Sequence, residues 1–350
     1  MLPQTPISQA HCANAIVPFV PGSLARPGPQ LSLGVRARNL WRSKGLLACA
    51  KKVTSKLLMR VGRLFQADIR ADVEWRSNRL LEHLLDLRHE MDLLKSAREV
   101  PRDWFDEFRE WKRAHPLSDK PLVSVCVPTY NRSALLTGRC LPSLVRQSYP
   151  HLQIIVVGDA CTDNTAERVA ALHDERIQFL NLPERGRYPE EPERRWRVAG
   201  SAPLNVALGL CAGELVTHLD DDDEYEPTRI EKLVAFVIND DLDLVWHPFY
   251  LETNVGEWQI CPADSFRLGQ VTNSSVLYRS LLARITCDPH AHLLDEPGDW
   301  NRFRKFKYLG VRKARFPEPL LRHYREQSQI RATAADMSPK GSSLPPRLCA

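Results

Sequence analysis

Gly213-Glu214-Leu215-Val216-Thr217-His218-Leu219-Asp220-Asp221-Asp222-Asp223-Glu224-Tyr225-Glu226-Pro227 joins a short apolar run to five consecutive acidic residues. The apolar half reads as a buried strand. Carboxylates in succession repel one another, and at the mouth of a strand a divalent cation relieves that repulsion. Pro227 suits the first turn of a following helix, where its missing N–H is no loss. The acids would then stand beyond the carboxyl end of a strand, where open α/β sheets place their ligands. An acidic run also suits a solvated turn, so the flanking sequence decides between the two.

Working outward, strand-like and helix-like patterns alternate. Leu122–Val127 is a β-branched run ending in Pro128-Thr129-Tyr130-Asn131-Arg132, and Leu152–Val157 ends in Gly158-Asp159-Ala160-Cys161-Thr162-Asp163-Asn164-Thr165. Ile177–Leu180 is a third strand, and helical patterns cover Leu135–Val145, Arg168–His173 and Ala202–Leu210. This alternation predicts right-handed βαβ units on a mostly parallel sheet flanked by helices. Neither G-x-G-x-x-G nor the Walker pattern follows the first strand, which removes the main support for dinucleotide and P-loop readings. The three polar strand exits could still hold a nucleotide. Asp159 can accept from a base N–H, the backbone of Thr129–Asn131 can bond the base carbonyls, and a metal on the acidic run can bridge a diphosphate.

Val123–Arg132, Ile154–Thr165, and Asn205 leading through Ala212-Gly213-Glu214 to Leu219–Asp223 together resemble the GT-A glycosyltransferases, specifically the inverting family 2, over residues 119–332. The resemblance implies a nucleotide-sugar site built from Pro128, Thr129, Tyr130, Asn131, Arg132, Asp159, Asp220 and Asp221. It implies Mg²⁺ or Mn²⁺ on Asp220 and Asp222, with Asp222 the principal ligand. Gly158-Asp159-Ala160-Cys161 departs from the commoner Asp-Asp-Gly-Ser, and Pro203-Leu204-Asn205 from Ala-Arg-Asn. The second departure moves the basic contact to the diphosphate onto Arg197, or onto Arg185, Arg187, Arg194 or Arg195, most of which read equally as a solvated loop. Within Asp295-Glu296-Pro297-Gly298-Asp299-Trp300 the family's base aligns with Asp299; Glu296 is its competitor, and Asp299 also suits the N-cap of a helix. Ser274 and Ser275 resemble an acceptor-side strand, and His323–Ser328 a loop closing over the donor. His247, His290 and His292 read as structural or acceptor contacts rather than a second metal site.

The N-terminal third has a different texture. Residues 1–67 hold ten Lys or Arg and no Asp or Glu, so of the net charge of +5 the remainder carries −5. Residues 1–34 are rich in Pro, Ser, Gly and Gln and read as disordered; residues 35–66 read as a basic amphipathic helix, suited to an anionic membrane surface or to packing on protein. Gly45 and Gly62 weaken that helix. Within a helical region and linker at 67–118, Val73, Leu80, Leu84, Leu87, Met91 and Leu94 fall at heptad spacing, as in a short coiled coil, so residues 73–94 suit a homodimer or an intramolecular hairpin. Trp104, Phe105, Phe108 and Trp111 form a packing stripe, and residues 333–350 a disordered tail.

Nine cysteines without a C-x-x-C pair suit a reducing cytosol, and neither a membrane span nor a secretory signal is expected; an acid-free start has some transit-peptide character. The expectation is therefore a cytoplasmic, metal-dependent inverting glycosyltransferase, peripheral at the inner membrane face where the basic helix binds lipid, taking a nucleoside diphosphate sugar (UDP first) and a glycan or glycolipid acceptor in cell-surface polysaccharide or glycolipid synthesis. The rivals are a nucleotidyltransferase and an inactive nucleotide-binding coiled-coil scaffold. Nucleic-acid binding is excluded by the acidic globular part and by the lack of stacking residues in the basic arm.

Overall fold

The computed structural model describes residues 46–325, with side chains from Ile69 onward except Ala71. The segments expected at 1–34 and 333–350, and the first part of the basic helix at 35–45, lie outside the described residues. Helix α1 (Leu46–Glu99) is continuous, running through Gly62 and joining the two segments read separately in the sequence. Residues up to Leu84 form one compact unit and those from Leu85 onward a second. In the first, Val73, Leu80 and Leu84 are exposed; in the second, so are Leu87, Met91 and Leu94. Among the described residues no helix is long and apolar enough to cross a membrane.

The second unit is an α/β sandwich. After α2 (Trp104–Ala114), the chain alternates β1 (Val123–Thr129), a helical segment made of α3 (Ser133–Leu135), a π turn (Leu136–Cys140) and α4 (Leu141–Val145), and then β2 (Leu152–Gly158). Next come α5 (Thr165–Ala170), β3 (Ile177–Asn181), α6 (Pro192–Val198), α7 (Ser201–Gly209) and β4 (Leu215–His218). Short β5 (Glu224–Tyr225) precedes α8 (Arg229–Asn239), β6 (Leu244–Trp246), β7 (Phe249–Asn254), β8 (Glu257–Cys261) and β9 (Val276–Arg279). The described elements end with α9 (Gly298–Tyr308), β10 (Lys313–Arg315) and β11 (Leu321–His323). Pro227 lies in the turn before α8 rather than inside its first turn, and its carbonyl accepts from Ser148 N–H (2.9 Å).

Seven strands form one sheet in the order β10-β6-β9-β4-β1-β2-β3. The four strands from β4 to β3 are parallel, as the sequence pattern requires, whereas β9 runs antiparallel to both β4 and β6. A smaller sheet, β5-β11-β7-β8, was not anticipated. Strand alternation divides the core. Val125, Val127, Ile154 and Val156 face a cluster containing Leu141, Leu144, Ile230 and Leu233, while Cys126, Ile155 and Val157 face one containing Leu204, Trp300 and Phe303. Burial on both faces explains why these strands read as continuous apolar runs. Phe108 of the aromatic stripe is buried, and Trp104 and Phe105 pack against the second cluster.

Gly213 lets β4 enter beside β1. A Cβ there would meet Leu122 O and Ser124 N, each at 2.7 Å, whereas one at Gly209 would meet nothing within 4 Å. Gly213→Ala should therefore cost about 1–3 kcal/mol in urea unfolding, while Gly209→Ala should be neutral or gain up to about 1 kcal/mol. Equal stability of the two variants would remove the close-approach explanation.

Candidate active site

Four segments supply the polar groups. At the β1 exit, Thr129 donates through Oγ1 to Asp221 (2.7 Å), and Arg132 reaches Asp222 (2.8 Å) and Asp221 (3.3 Å). Asn131 adopts φ 50°, and its side-chain oxygen accepts from Thr162 N–H (2.8 Å), which ties the first two strand exits together. Tyr130 is exposed and Pro128 half-buried.

At the β2 exit, Asp159 is buried and its N–H bonds to Thr129 O (2.8 Å). Its carboxylate accepts from Gly186 N–H (2.8 Å) and lies 3.8 Å from Arg185, whose guanidinium covers the Tyr130 ring at 3.7 Å. Burial and the adjacent Asp159 carboxylate push the Tyr188 phenol above its usual range. Ala160, where the commoner turn has Gly, stands at φ 57°, a left-handed conformation that costs a non-glycine residue about 1–2 kcal/mol. Cys161 in place of Ser keeps the turn closed, because its N–H bonds to Asn181 Oδ1 (2.8 Å) and its thiol accepts from Asn131 N–H (3.4 Å).

The acidic loop follows β4. Asp221 and Asp223 are buried, and Asp220 and Asp222 half-buried. Burial, then the charges of Asp223 and Asp222, pushes Asp220 well above the carboxylate range. Burial takes Asp221 up to about 6 although Arg132 opposes it. His323, at the end of β11, places Nδ1 2.8 Å from Asp223, while Tyr324 N–H donates to the other Asp223 oxygen (3.0 Å). Burial disfavours the charged imidazole, but the carboxylates of Asp223, Asp220 and Asp222 outweigh it and carry the His323 pKa up to about 9. Arg139 donates to Asp222 O (2.7 Å) and covers the Tyr324 ring at 3.5 Å.

Asp220, Asp223 and His323 each offer one ligand atom, all within 4.8 Å of one another, and among the described residues this is the only group of three or more such side chains that could hold a metal. The two carboxylates suit Mg²⁺ or Mn²⁺, and the imidazole could join them as a nitrogen ligand only on losing the proton that those carboxylates now favour. Asp220 of the expected pair belongs to the group, while the Asp222 carboxylate is held by Arg132. His323 was read only as part of a closing loop; a hundred residues separate it from Asp223, and no local pattern links them.

Asp299 lies in the first turn of α9, with Pro297 at the cap position, so it is not the N-cap residue. Its carboxylate accepts from Trp300 N–H (2.7 Å), and burial pushes its pKa up against that bond. The 3₁₀ turn Asn273–Ser275 lies between it and the acidic loop: Ser274 Oγ accepts from Asp220 N–H (3.1 Å), and the nearby Asn273 backbone favours the charged form of Asp299. Glu296, the competitor, is fully buried between Lys95 (2.7 Å) and Arg304 (2.9 Å).

The remaining arginines and histidines divide clearly. Arg197 pairs with Asp295 (2.9 Å) rather than with the acidic loop, and Arg194 makes a local pair with Glu191 (2.9 Å). Arg195 donates to Glu190 O (3.2 Å). His247 is buried against Arg229 (2.9 Å) and Pro248 O (2.7 Å), a structural role. His292 bonds to Pro289 O (3.1 Å), and Ser275 Oγ accepts from Thr272 N–H (2.9 Å). Cys126, Cys140, Cys161, Cys211 and Cys287 are in no disulfide.

Residues 124–262 match the family model described as Glycosyl transferase family 2. Glycosyltransferase GlyG of Streptococcus pneumoniae is 30% identical over 131 residues, covering 37% of this chain and 39% of that protein. UDP-Glc:alpha-D-GlcNAc-diphosphoundecaprenol beta-1,3-glucosyltransferase WfgD of Escherichia coli is 22% identical over 136 residues, covering 39% of this chain and 49% of that protein. The chain thus spans less than half the length of these curated relatives. Among solved structures, S. aureus TarS 1–349 in complex with UDP aligns with a TM-score of 0.46 and 21% identity, over 59% of this chain and 61% of that one. The α/β domain carrying the Thr129, Asp159 and Asp220–Asp223 exits is similar, over residues 124–262, to glycosyl transferase family 2.

Proposed function

We propose that the protein is a metal-dependent inverting glycosyltransferase that moves a sugar from a UDP-sugar to a glycan or glycolipid hydroxyl. The observation that carries this reading is the group Asp220, Asp223 and His323, whose ligand atoms lie within 4.8 Å of one another at the β4 exit, next to the turn that accepts from Asp220 N–H. Asp159 and the backbone of Thr129–Asn131 would hold the base, with Pro128 and Tyr130 as its apolar wall, and Asp220 and Asp221 would face the ribose and diphosphate. Arg132 neutralises Asp222 and Asp221 in the present arrangement, and a diphosphate would compete for the same guanidinium. Its withdrawal would free Asp222 to join Asp220, Asp223 and His323 as ligands.

In the transfer itself, Asp299 accepts the proton of the acceptor hydroxyl as that oxygen attacks the anomeric carbon. The new carbon–oxygen bond forms on the face opposite the diphosphate, which leaves with the electron pair of the bond it breaks. A bound Mg²⁺ or Mn²⁺ supplies charge stabilisation for that leaving group. Glu296 is unsuited to the base role because both of its oxygens are already engaged by cations. A UDP-sugar donor and a lipid-linked acceptor are supported by the activity in WfgD's name. Arg197, paired with Asp295, would act near the base rather than directly on the diphosphate.

The basic segment at residues 36–65 would bring the enzyme peripherally to the inner membrane face, and the exposed stripe at 73–94 would join two copies.

Asp299→Asn should lower kcat about 10²–10⁴-fold with UDP-sugar affinity within about twofold, and equal loss of both would assign Asp299 a structural role. Because burial raises its pKa, the active carboxylate form is lost early on acidification, so the rate should fall tenfold per pH unit below that raised value. A profile that is flat down to the ordinary carboxylate range would exclude Asp299 as the base. UDP with Mn²⁺ at a hundred times its dissociation constant should add about 2.7 kcal/mol of stability, and Asp222→Asn or His323→Ala should abolish the metal-dependent part. An unchanged shift in both variants would remove the metal assignment. For the N-terminal region, replacing Lys51, Lys52, Lys56 and Arg60 with Gln should stop flotation on anionic vesicles, and Leu80→Lys with Leu87→Lys should halve the mass measured by light scattering. Unaltered behaviour in either assay would refute the corresponding contact.

A further inference from the structure

The base turn is gripped by a helix that the transfer reaction does not itself require. Lys95 of α1 donates to Glu296 Oε1 (2.7 Å) and to Leu294 O (3.3 Å). Arg304 of α9 donates to Glu296 Oε2 (2.9 Å), to Ser96 Oγ (3.1 Å) and to Glu99 Oε1 (2.6 Å). Lys305 closes the chain on the second Glu99 oxygen (2.9 Å). The result is an alternating row, Lys95, Glu296, Arg304, Glu99, Lys305, whose central pair is completely buried. Asn301 adds a further bond to Glu296 from inside α9 (3.1 Å).

Apolar residues of similar volume generally stabilise a helix contact as well as a buried ion pair does, because desolvation of the charges offsets their attraction. What charge pairing adds is a single permitted geometry. Here it sets where Glu296 stands relative to α1, and Glu296 is separated from Asp299 only by Pro297 and Gly298. On its other side the same turn has Arg197 on Asp295, but that carboxylate is 83% exposed and such a contact restrains little. The buried row is the stronger constraint.

We propose that α1 residues 95–99 are positioning residues for the reaction: by clamping Glu296 between Lys95 and Arg304, they fix the turn that presents Asp299 to the acceptor. This rests on the reading of Asp299 as the general base. The N-terminal helix is then part of the catalytic apparatus without touching substrate.

Two measurements on the full chain test this. In hydrogen exchange, Lys95→Met should raise amide exchange of residues 288–300 at least fivefold, with α8 in the same sample unchanged; equal exchange of residues 288–300 in wild type and variant overturns the proposal. In turnover of UDP-glucose with Mn²⁺ and water as acceptor, Lys95→Met should lower kcat at least tenfold with KM within twofold, and Lys95→Arg should restore most of it. If Lys95→Met does not fold, Glu99→Gln, which loosens Arg304 and Lys305 but leaves the Lys95–Glu296 pair in place, should show the same split to a smaller degree. Loss of kcat in Asp299→Asn with full kcat in Lys95→Met or Glu99→Gln overturns the clamp and leaves the base standing. Full kcat in Asp299→Asn overturns the base reading, and the clamp with it, whatever Lys95→Met does.

Discussion

The concentration of negative charge at the end of β4 is the constraint on which the rest of the structure depends. Asp221 is balanced by Thr129 and Arg132, Asp222 by Arg132, and Asp223 by His323 and the Tyr324 N–H. These partners come from β1, from the turn after it, and from β11 at the far end of the described chain. The acidic loop thus gathers the parallel sheet and the smaller sheet around one point. Asp220 has no cation of its own at comparable distance among the described residues; burial and its acidic neighbours favour its protonated form. A loop built this way is poised for an added positive charge, which would relieve the repulsion at Asp220 that His323 only partly offsets.

Local regularity made much of this legible. Strands β1, β2 and β4 are buried on both faces and short enough to show as apolar runs, and their polar exits are contiguous in sequence, so Pro128–Arg132, Asp159 and Asp220–Asp223 could be read directly. The hidden features are those that depend on long-range pairing. Strands β5 and β11 are two and three residues long and carry no period of their own. The bond from His323 to Asp223 joins residues on different strands of the smaller sheet and its approach, without a motif. The reversal of β9 likewise depends on its neighbours β4 and β6 rather than on any property of Val276–Arg279. Gly62 weakens α1 without interrupting it, because one unfavourable residue, at about 1 kcal/mol, does not outweigh a long run of good helix formers.

The departures at the second strand exit have a physical resolution. Ala160 accepts a left-handed backbone that glycine would take more readily, and the turn survives because its neighbours over-determine it. Asn181 bonds both the N–H and the carbonyl of Cys161, and Asn131 holds Thr162. The same turn is tied to the β1 exit, since the Cys161 thiol accepts from Asn131 N–H and Asp159 N–H bonds to Thr129 O, so the strain is confined to a place where base recognition would need a rigid wall.

Two carboxylates three residues apart, Glu296 and Asp299, illustrate how environment separates roles that sequence leaves interchangeable. Both are removed from bulk water to a large degree, and burial raises the pKa of each. At Glu296 the Lys95 and Arg304 contacts outweigh burial and hold the carboxylate below its usual range, so it stays ionised and engaged. At Asp299 backbone N–H groups and the more distant Arg302 charge only partly offset burial, and the carboxylate ends above its usual range. A group held ionised by two cations gains nothing by taking a proton, whereas one destabilised as an anion takes it readily. On the proposed reading of Asp299, neighbouring acids whose environments drive their pKa values in opposite directions separate into an anchor and a proton acceptor. The same turn can therefore be fixed by one carboxylate and left reactive at the other.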